Sequence, residues 1–396
     1  MRFKPHYRLY ACFFLFSSVT GAMFSRLPDI QSHMQVNEAQ LGWTLIGAAI
    51  GALISLTFSS PLIEKLGARR TAFITVLGST ALYAFVPFIS YAPLAFLDLV
   101  GAGLLAGALE INLNVELART ETLLGRSIMS RAHGFWSLGF FVTALVAAAL
   151  RQLGVSAQLH LAGVLLVVFI GAIVFISGIN NVPARVAHGE DKPPLIAFPT
   201  IALLPLCLIG IAAFLIEGAG VDWSAIYMRD AFQAEPFVGG LGLTLFTFFM
   251  ALARIFIGPV VDHYSPRVVV TILLGLSALG LIAIWLAPVP WVALAGFALL
   301  GVGCSAVYPL VVSAAAQRTD RPSAINVAAI GQVTFVIFFL APPFLGNVAH
   351  YFGIRNSYVV CLPLVIAGLA VVSALAKRAQ PLPPGETPTE PLSSHG

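Results

Sequence analysis

Ser60-Pro61-Leu62-Ile63-Glu64-Lys65-Leu66-Gly67-Ala68-Arg69-Arg70 and, 198 residues further on, Gly258-Pro259-Val260-Val261-Asp262-His263-Tyr264-Ser265-Pro266-Arg267 are two copies of one pattern. Each reads small residue, proline, two aliphatics, acid, base, then a turn and an arginine. Each lies between two long apolar runs. An acid ending one helix can meet the positive N-terminal end of its neighbour while basic residues face an anionic leaflet. Such a cluster can latch two helices in one conformation and release them in another. A single copy would equally suit a polar cap at the water interface; two equivalent copies favour the latch, with Glu64, Arg69, Asp262 and Arg267 as its charges.

The surrounding chain has the composition of a protein dissolved in lipid. Of its 396 residues 59% are hydrophobic and only 10% charged, and the mean hydropathy is +0.93. A water-soluble domain carries about 25% charged residues. About twelve stretches are long enough to span a bilayer as helices, at 8–25, 40–62, 71–91, 94–118, 132–150, 158–178, 198–219, 237–258, 268–287, 291–315, 323–345 and 356–376. They are continuous apolar runs without the alternation of a membrane β-barrel. The predicted fold is therefore all-α and membrane-embedded, with the lipid bilayer as its first partner.

The basic residues set the expected topology. With the N-terminus in the cytoplasm, sixteen Lys and Arg fall in cytoplasmic segments against four outside (Arg26, Arg151, Arg229 and Arg355), with Arg254 inside a span. This positive-inside bias places both termini in the cytoplasm. It also accounts for the pI near 9.0 without nucleic acid. The stretch Asn180 to Pro199, rich in proline and charge, divides the spans six and six. The expected organisation is an N-terminal bundle over 1–179, a cytoplasmic linker over 180–199, a C-terminal bundle over 200–378 and a disordered tail over 379–396. Cys12, Cys207, Cys304 and Cys361 lie apart in apolar segments, which indicates neither a metal site nor a disulfide framework.

The duplicated loop, the span count and the six-plus-six division together resemble the major facilitator superfamily of transporters. Ser60 and Glu64 depart from its usual Gly and Asp in the first copy, and Ser265 from its usual Gly in the second. The resemblance implies two pseudo-symmetric six-helix bundles around a midplane cavity, alternating between inward-open and outward-open states. Leu109-Glu110, with Asn114 four residues after the Glu, and Gly303-Cys304-Ser305-Ala306-Val307-Tyr308-Pro309 further resemble the bacterial fucose permease branch. There, that Glu takes part in proton coupling and sugar binding. A first-span Asp of the fucose permease has no counterpart between Cys12 and Met23. These likenesses imply a monomeric, multi-pass protein of the bacterial inner membrane.

Ionisable groups inside spans are costly and are candidates for function. Glu110 lies near mid-membrane and shares a helix face with Asn114, Gly103 and Gly107. It could carry a proton, bind substrate or serve as a structural carboxyl; Asn112 and Glu116 flank it. Glu217, in Glu217-Gly218-Ala219-Gly220-Val221-Asp222-Trp223, sits where two glycines weaken helix continuity. It could bind substrate, take a proton or pair with Arg26 as an outer gate, with Asp222 and Trp223 at the outer interface. His133 could pair with Glu116. Arg254, two turns before Asp262, reads as part of the latch, and Tyr308, Asn326 and Gln332 as neutral groups lining the cavity.

Absences narrow the function. The fifth span lacks the Gly-Pro run typical of drug–proton antiporters, and no Gly-Lys-Ser/Thr phosphate loop occurs. No cofactor is indicated, and no nucleophile–base set suggests an enzyme. The leading expectation is proton-coupled symport of a small polar solute, a sugar or derivative. Export, uncoupled facilitation and a non-transporting membrane sensor are the alternatives.

Overall fold

Proline, glycine and small polar caps punctuate the apolar runs into helices. The computed structural model describes residues 4–124, 128–179, 197–318, 320–321 and 323–375, and among them there is no strand. In chain order the helices are α1 (Pro5–Ser25), α2 (Leu27–Met34), α3 (Glu38–Leu66), α4 (Ala68–Phe85), α5 (Ala92–Leu124), α6 (Met129–Gln152) and α7 (Ala157–Phe175). The second half holds α8 (Leu204–Phe232), α9 (Pro236–Tyr264), α10 (Pro266–Leu286), α11 (Pro290–Cys304), α12 (Val307–Ala316), α13 (Ser323–Phe352), α14 (Asn356–Val359) and α15 (Leu362–Ala370). Among the described residues ten stretches are long and apolar enough to cross a membrane, with α11 and α12 making one of them. The 29-residue α3, uncharged from Ala39 to Ile63, and the shorter apolar stretch Asn356–Ala370 complete the twelve passes. Most of the linker (180–196) and the whole tail lie outside the described residues.

The halves repeat in detail. The starts of α3, α4 and α5 at Glu38, Ala68 and Ala92 recur as the starts of α9, α10 and α11 at Pro236, Pro266 and Pro290, each 198 residues on. The turn between the paired helices repeats as well. Gly67 has φ 78° and ψ 155°, and Ser265, its counterpart, has φ 89° and ψ 149°. That region is open to glycine and strained for a residue with a Cβ. The second copy therefore keeps the geometry of the first at a steric cost.

Close helix approach holds each half together. In lipid the association of helices rests on van der Waals packing and on small residues that let backbones meet. Gly47 and Gly51 of α3 lie on the backbone of α5 at Phe96 and Val100, and Gly103 of α5 lies on Ala48 of α3. Between the halves, α3 packs on α13 and α6 on α9. Gly42 abuts Pro342 and Pro343, Gly346 lies against Glu38 O and the Trp223 ring, and Gly240 faces Ala148. These contacts sit toward one face of the molecule, the one at which α1 ends. It is called the far face below; the face at which α1 begins, which also carries the duplicated loops, is the near face.

Removing the strain at the second turn tests the repeat. Ser265→Gly should stabilise the protein by about 1 kcal/mol, and Gly67→Ala should destabilise it by a similar amount. Thermal unfolding in detergent micelles reads both, and equal melting temperatures for wild type and Ser265→Gly would remove the strain argument.

Candidate functional site

Span ten is broken. α11 stops at Cys304 and α12 begins at Val307, with Ala306 at φ −122° and ψ 2°. The break lies in the Gly303-to-Pro309 run singled out from sequence. A carbonyl released from a helix ladder inside a bilayer needs an internal donor. Arg254 of α9 supplies it, its Nε donating to Ser305 O at 2.9 Å. The same guanidinium places Nη2 3.7 Å from Glu217 Oε1 on α8. One arginine thus joins α8, α9 and the break in span ten. Both side chains of the pair are partly exposed, at 28% for Arg254 and 21% for Glu217, so water or a polar solute can reach them. Tyr308, just past the break, packs edge-on against Phe214 at 4.6 Å.

Several expectations are corrected here. Glu217 does not pair with Arg26, which lies in a separate cluster. Among the described residues Arg254 is engaged at span ten, its guanidinium reaching sideways across the bundle to Ser305 O and Glu217. α8 runs unbroken through Gly218 and Gly220; the glycines make room instead, Gly220 for the Phe246 ring and Gly218 for Ala341. Asp222 and Trp223 are buried, at 6% and 0% exposed, and do not reach the lipid as anchors. Asp222 has no hydrogen-bond partner among the described residues, and Trp223 Nε1 and Ser224 Oγ are buried without one. Sequence reading missed this polar segment because Asp-Trp near a span end reads as an interfacial anchor.

In the N-terminal half, Glu110 sits near the middle of the 33-residue α5. Gly107 and Gly103, one and two turns before it on its stripe, are packed on α3. Leu97, Leu104 and Val115 form a separate, exposed apolar stripe. Glu110 continues the glycine stripe past the tight contact, where its side chain is exposed and Asn114 is half-buried. Among the described residues neither has a hydrogen-bond partner. A carboxyl on the α3-facing stripe, exposed and without a hydrogen-bond partner among the described residues, can exchange a proton or accept hydrogen bonds from a solute.

Other candidates have structural partners. Asn112 is buried and donates to Ala68 O at 2.9 Å, tying α5 to the start of α4. Glu116 pairs with Arg119 on its own helix and not with His133, whose ring lies edge-on to Phe13 at 5.2 Å. Asn326 and Gln332 do not act as free cavity groups. Asn326 donates to Asp320 at 3.0 Å, and Gln332 accepts from the Ala197 amide at 2.8 Å. Together with Arg318, Asn326 holds the Asp320 carboxyl below its ordinary pKa. The side chains of Glu64 and Asp262 lie outside the described residues; Arg69 is exposed at the start of α4 and Arg267 half-buried at the start of α10.

At the far face Arg26 is almost fully buried. Its Nε donates to His160 Nδ1 at 3.1 Å and its Nη1 to Asp29 at 2.9 Å. Arg151 of α6 grips the same Asp29 through Nε and Nη2, at 2.8–3.1 Å. Burial lowers the pKa of Arg26 and the Asp29 carboxylate opposes that shift. Nearby bonds cross between the halves. Arg229 donates to Pro28 O at 3.1 Å and to Gln31 at 2.6 Å. Gln152 joins Glu235 and the Phe237 amide, and His350 lies 3.6 Å from Glu38.

A twelve-pass, two-fold repeated helical bundle with a broken span and charged groups inside it defines a membrane transporter. The family model described as Major Facilitator Superfamily matches residues 205–395. An uncharacterized transporter of Sinorhizobium fredii is 28% identical over 372 residues, 93% of this chain and 97% of its own. Membrane protein MosC of Rhizobium meliloti is 25% identical over 94% of this chain and 90% of its own. Among solved structures, the nucleoside transporter NupG shares the fold with a TM-score of 0.70 at 15% identity, over 94% of this chain and 98% of that one. A D-xylose-proton symporter does so with a TM-score of 0.70 at 14% identity, over 94% and 97%. The C-terminal half of the chain thus matches the Major Facilitator Superfamily, and over nearly its whole length the chain is similar to bacterial membrane transporters.

The pairing at span ten is open to a double-mutant cycle. Glu217→Ala and Arg254→Ala should couple by about 0.5–3 kcal/mol in unfolding free energy, whereas Glu217→Ala and Arg26→Ala should add to within about 0.5 kcal/mol. Additivity of the first pair would dissolve the proposed link.

Proposed function

We propose that this transporter moves a small polar solute of the sugar or nucleoside class together with a proton, by alternating access. The observation that carries the reading is Glu110, an exposed carboxyl on the α3-facing stripe of α5 with no hydrogen-bond partner among the described residues. A carboxylate held in low-dielectric surroundings without a counter-charge gains from taking up a proton. The fold is shared with a protein described as a D-xylose-proton symporter and with a nucleoside transporter, which supports that solute class. The short fourth-span likeness to the fucose permease branch supports the same role for Glu110.

In this reading the positive-inside bias makes the near face cytoplasmic. The cross-half bonds of Arg229, Gln152 and His350 then seal the outer side, and the cavity opens to the cytoplasm. Arg254, Glu217 and Asn114 offer donors and acceptors to a hydroxylated solute. Glu64, Arg69, Asp262 and Arg267 latch the cytoplasmic ends when the molecule turns outward. The two bundles on either side of the 180–199 linker are the bodies that rock.

A thermal-shift screen of pentoses, hexoses and nucleosides identifies the solute, since a ligand of the folded state raises its apparent stability. Uptake into proteoliposomes with and without an imposed proton gradient, paired with counterflow, then tests coupling. Glu110→Gln should abolish accumulation against a gradient while leaving counterflow intact. Accumulation by Glu110→Gln at the wild-type level would assign coupling elsewhere, with Glu217 and the buried Asp222 next in line.

A further inference from the structure

The far-face cluster holds a surplus of donors that the transport cycle above does not use. Arg26 is 2% exposed. Its Nε donates to His160 Nδ1, which makes Nδ1 the acceptor nitrogen of a neutral imidazole and leaves the proton on Nε2. Both His160 Nε2 and Arg26 Nη2 are buried without a partner. Two neighbouring buried donors therefore lack an acceptor, and buried polar groups left so are costly.

A cavity of about 370 Å³ lies against Arg26, lined also by Arg151, His33 and the first residues of α7 among others. The 19-residue α7 starts at Ala157 with Ser156 as its cap, the Ser156 side chain accepting from Leu159 N. Among the described residues the amides of Ala157 and Gln158 have no partner, and a helix N-terminus with free amides favours an anion. Against Arg26 and Arg151 stands the single carboxylate of Asp29, which both engage. The surplus is one positive charge. It matches a monoanion and not a dianion.

We infer that this cavity is a binding site for the carboxylate of a small organic acid, separate from the solute path around Glu110 and Arg254. The carboxylate oxygens accept from the Arg26 and Arg151 guanidinium groups and the α7 amides, and the short aliphatic part lies on Ile30, Val155 and Pro236, which also line the cavity. Lined by Arg26 at the α1–α2 junction, by α2 and by the start of α7, the site reports on that junction whatever solute is carried.

Calorimetric titration of the full-length protein in phosphatidylcholine nanodiscs tests this, with propionate as the probe and propionamide as its neutral counterpart. Propionate should bind saturably and propionamide should not. Arg151→Gln, at the edge of the cavity, should weaken propionate at least about tenfold, the loss expected from one charge-assisted hydrogen bond. Arg254→Gln should leave it unchanged. Equal binding of the two probes, or no propionate binding, overturns the inference. Binding lost in Arg254→Gln but kept in Arg151→Gln also overturns it, by moving the anion to the central cavity. The Glu110 uptake experiment is independent of all these outcomes.

Discussion

Inside hydrocarbon, a backbone carbonyl that leaves its helix ladder has no water to turn to. The break between Cys304 and Val307 creates that need at Ser305 O, and Arg254 answers it while its other nitrogen faces Glu217. The rest of the central site follows. An arginine can serve both partners because its guanidinium is a rigid fork of donors; a lysine offers one point of charge. Its positive charge then calls for the acid on α8, and the polar group so formed gives the bundle interior a place where a hydroxylated solute can exchange hydrogen bonds.

The two faces of the molecule are held by different physics. At the far face, glycines bring helix backbones of opposite halves together at Gly42, Gly240 and Gly346. The polar bonds around them run through partly exposed side chains such as Arg229, at 31%. Bonds of that kind contribute about 0–1 kcal/mol each. A closure built from several of them is firm as a group and breakable one at a time, which a rocking transporter requires. The glycine seam between α3 and α5 lies within one half, shows no such polar rim among the described residues, and is suited to remain intact as the half moves.

The fold was legible in the sequence because lipid imposes few solutions. Apolar runs of span length give twelve helices, and the duplicated loop reappears as two turns with matching backbone angles at Gly67 and Ser265. The site was legible only in part. Glu110 stood out as a charge in an apolar run, and the run from Gly303 to Pro309 was singled out for its likeness. Which charges meet was not legible: Arg254 reaches Glu217 from a neighbouring helix 37 residues along the chain, and nothing in local spacing distinguishes that partner from Arg26. The burial of Asp222 was hidden for a related reason, since α8 continues past it into a packed region where the sequence pattern suggested a span end. Asn112, Asn326 and Gln332 look like cavity groups in sequence because the carbonyls, amides and carboxylate they bind belong to distant segments.

The central claim is that the far face opens and closes as the two halves rock. Spin labels at Leu153, 76% exposed beside α6, and Phe237, at the start of α9, straddle the seam between the halves. Their distance distribution, measured by double electron–electron resonance in nanodiscs, should hold a short, closed population. Arg229→Ala, which removes the bonds to Pro28 and Gln31, should shift weight to a longer one. A single distance, the same in wild type and Arg229→Ala and at every pH tested, would contradict the account.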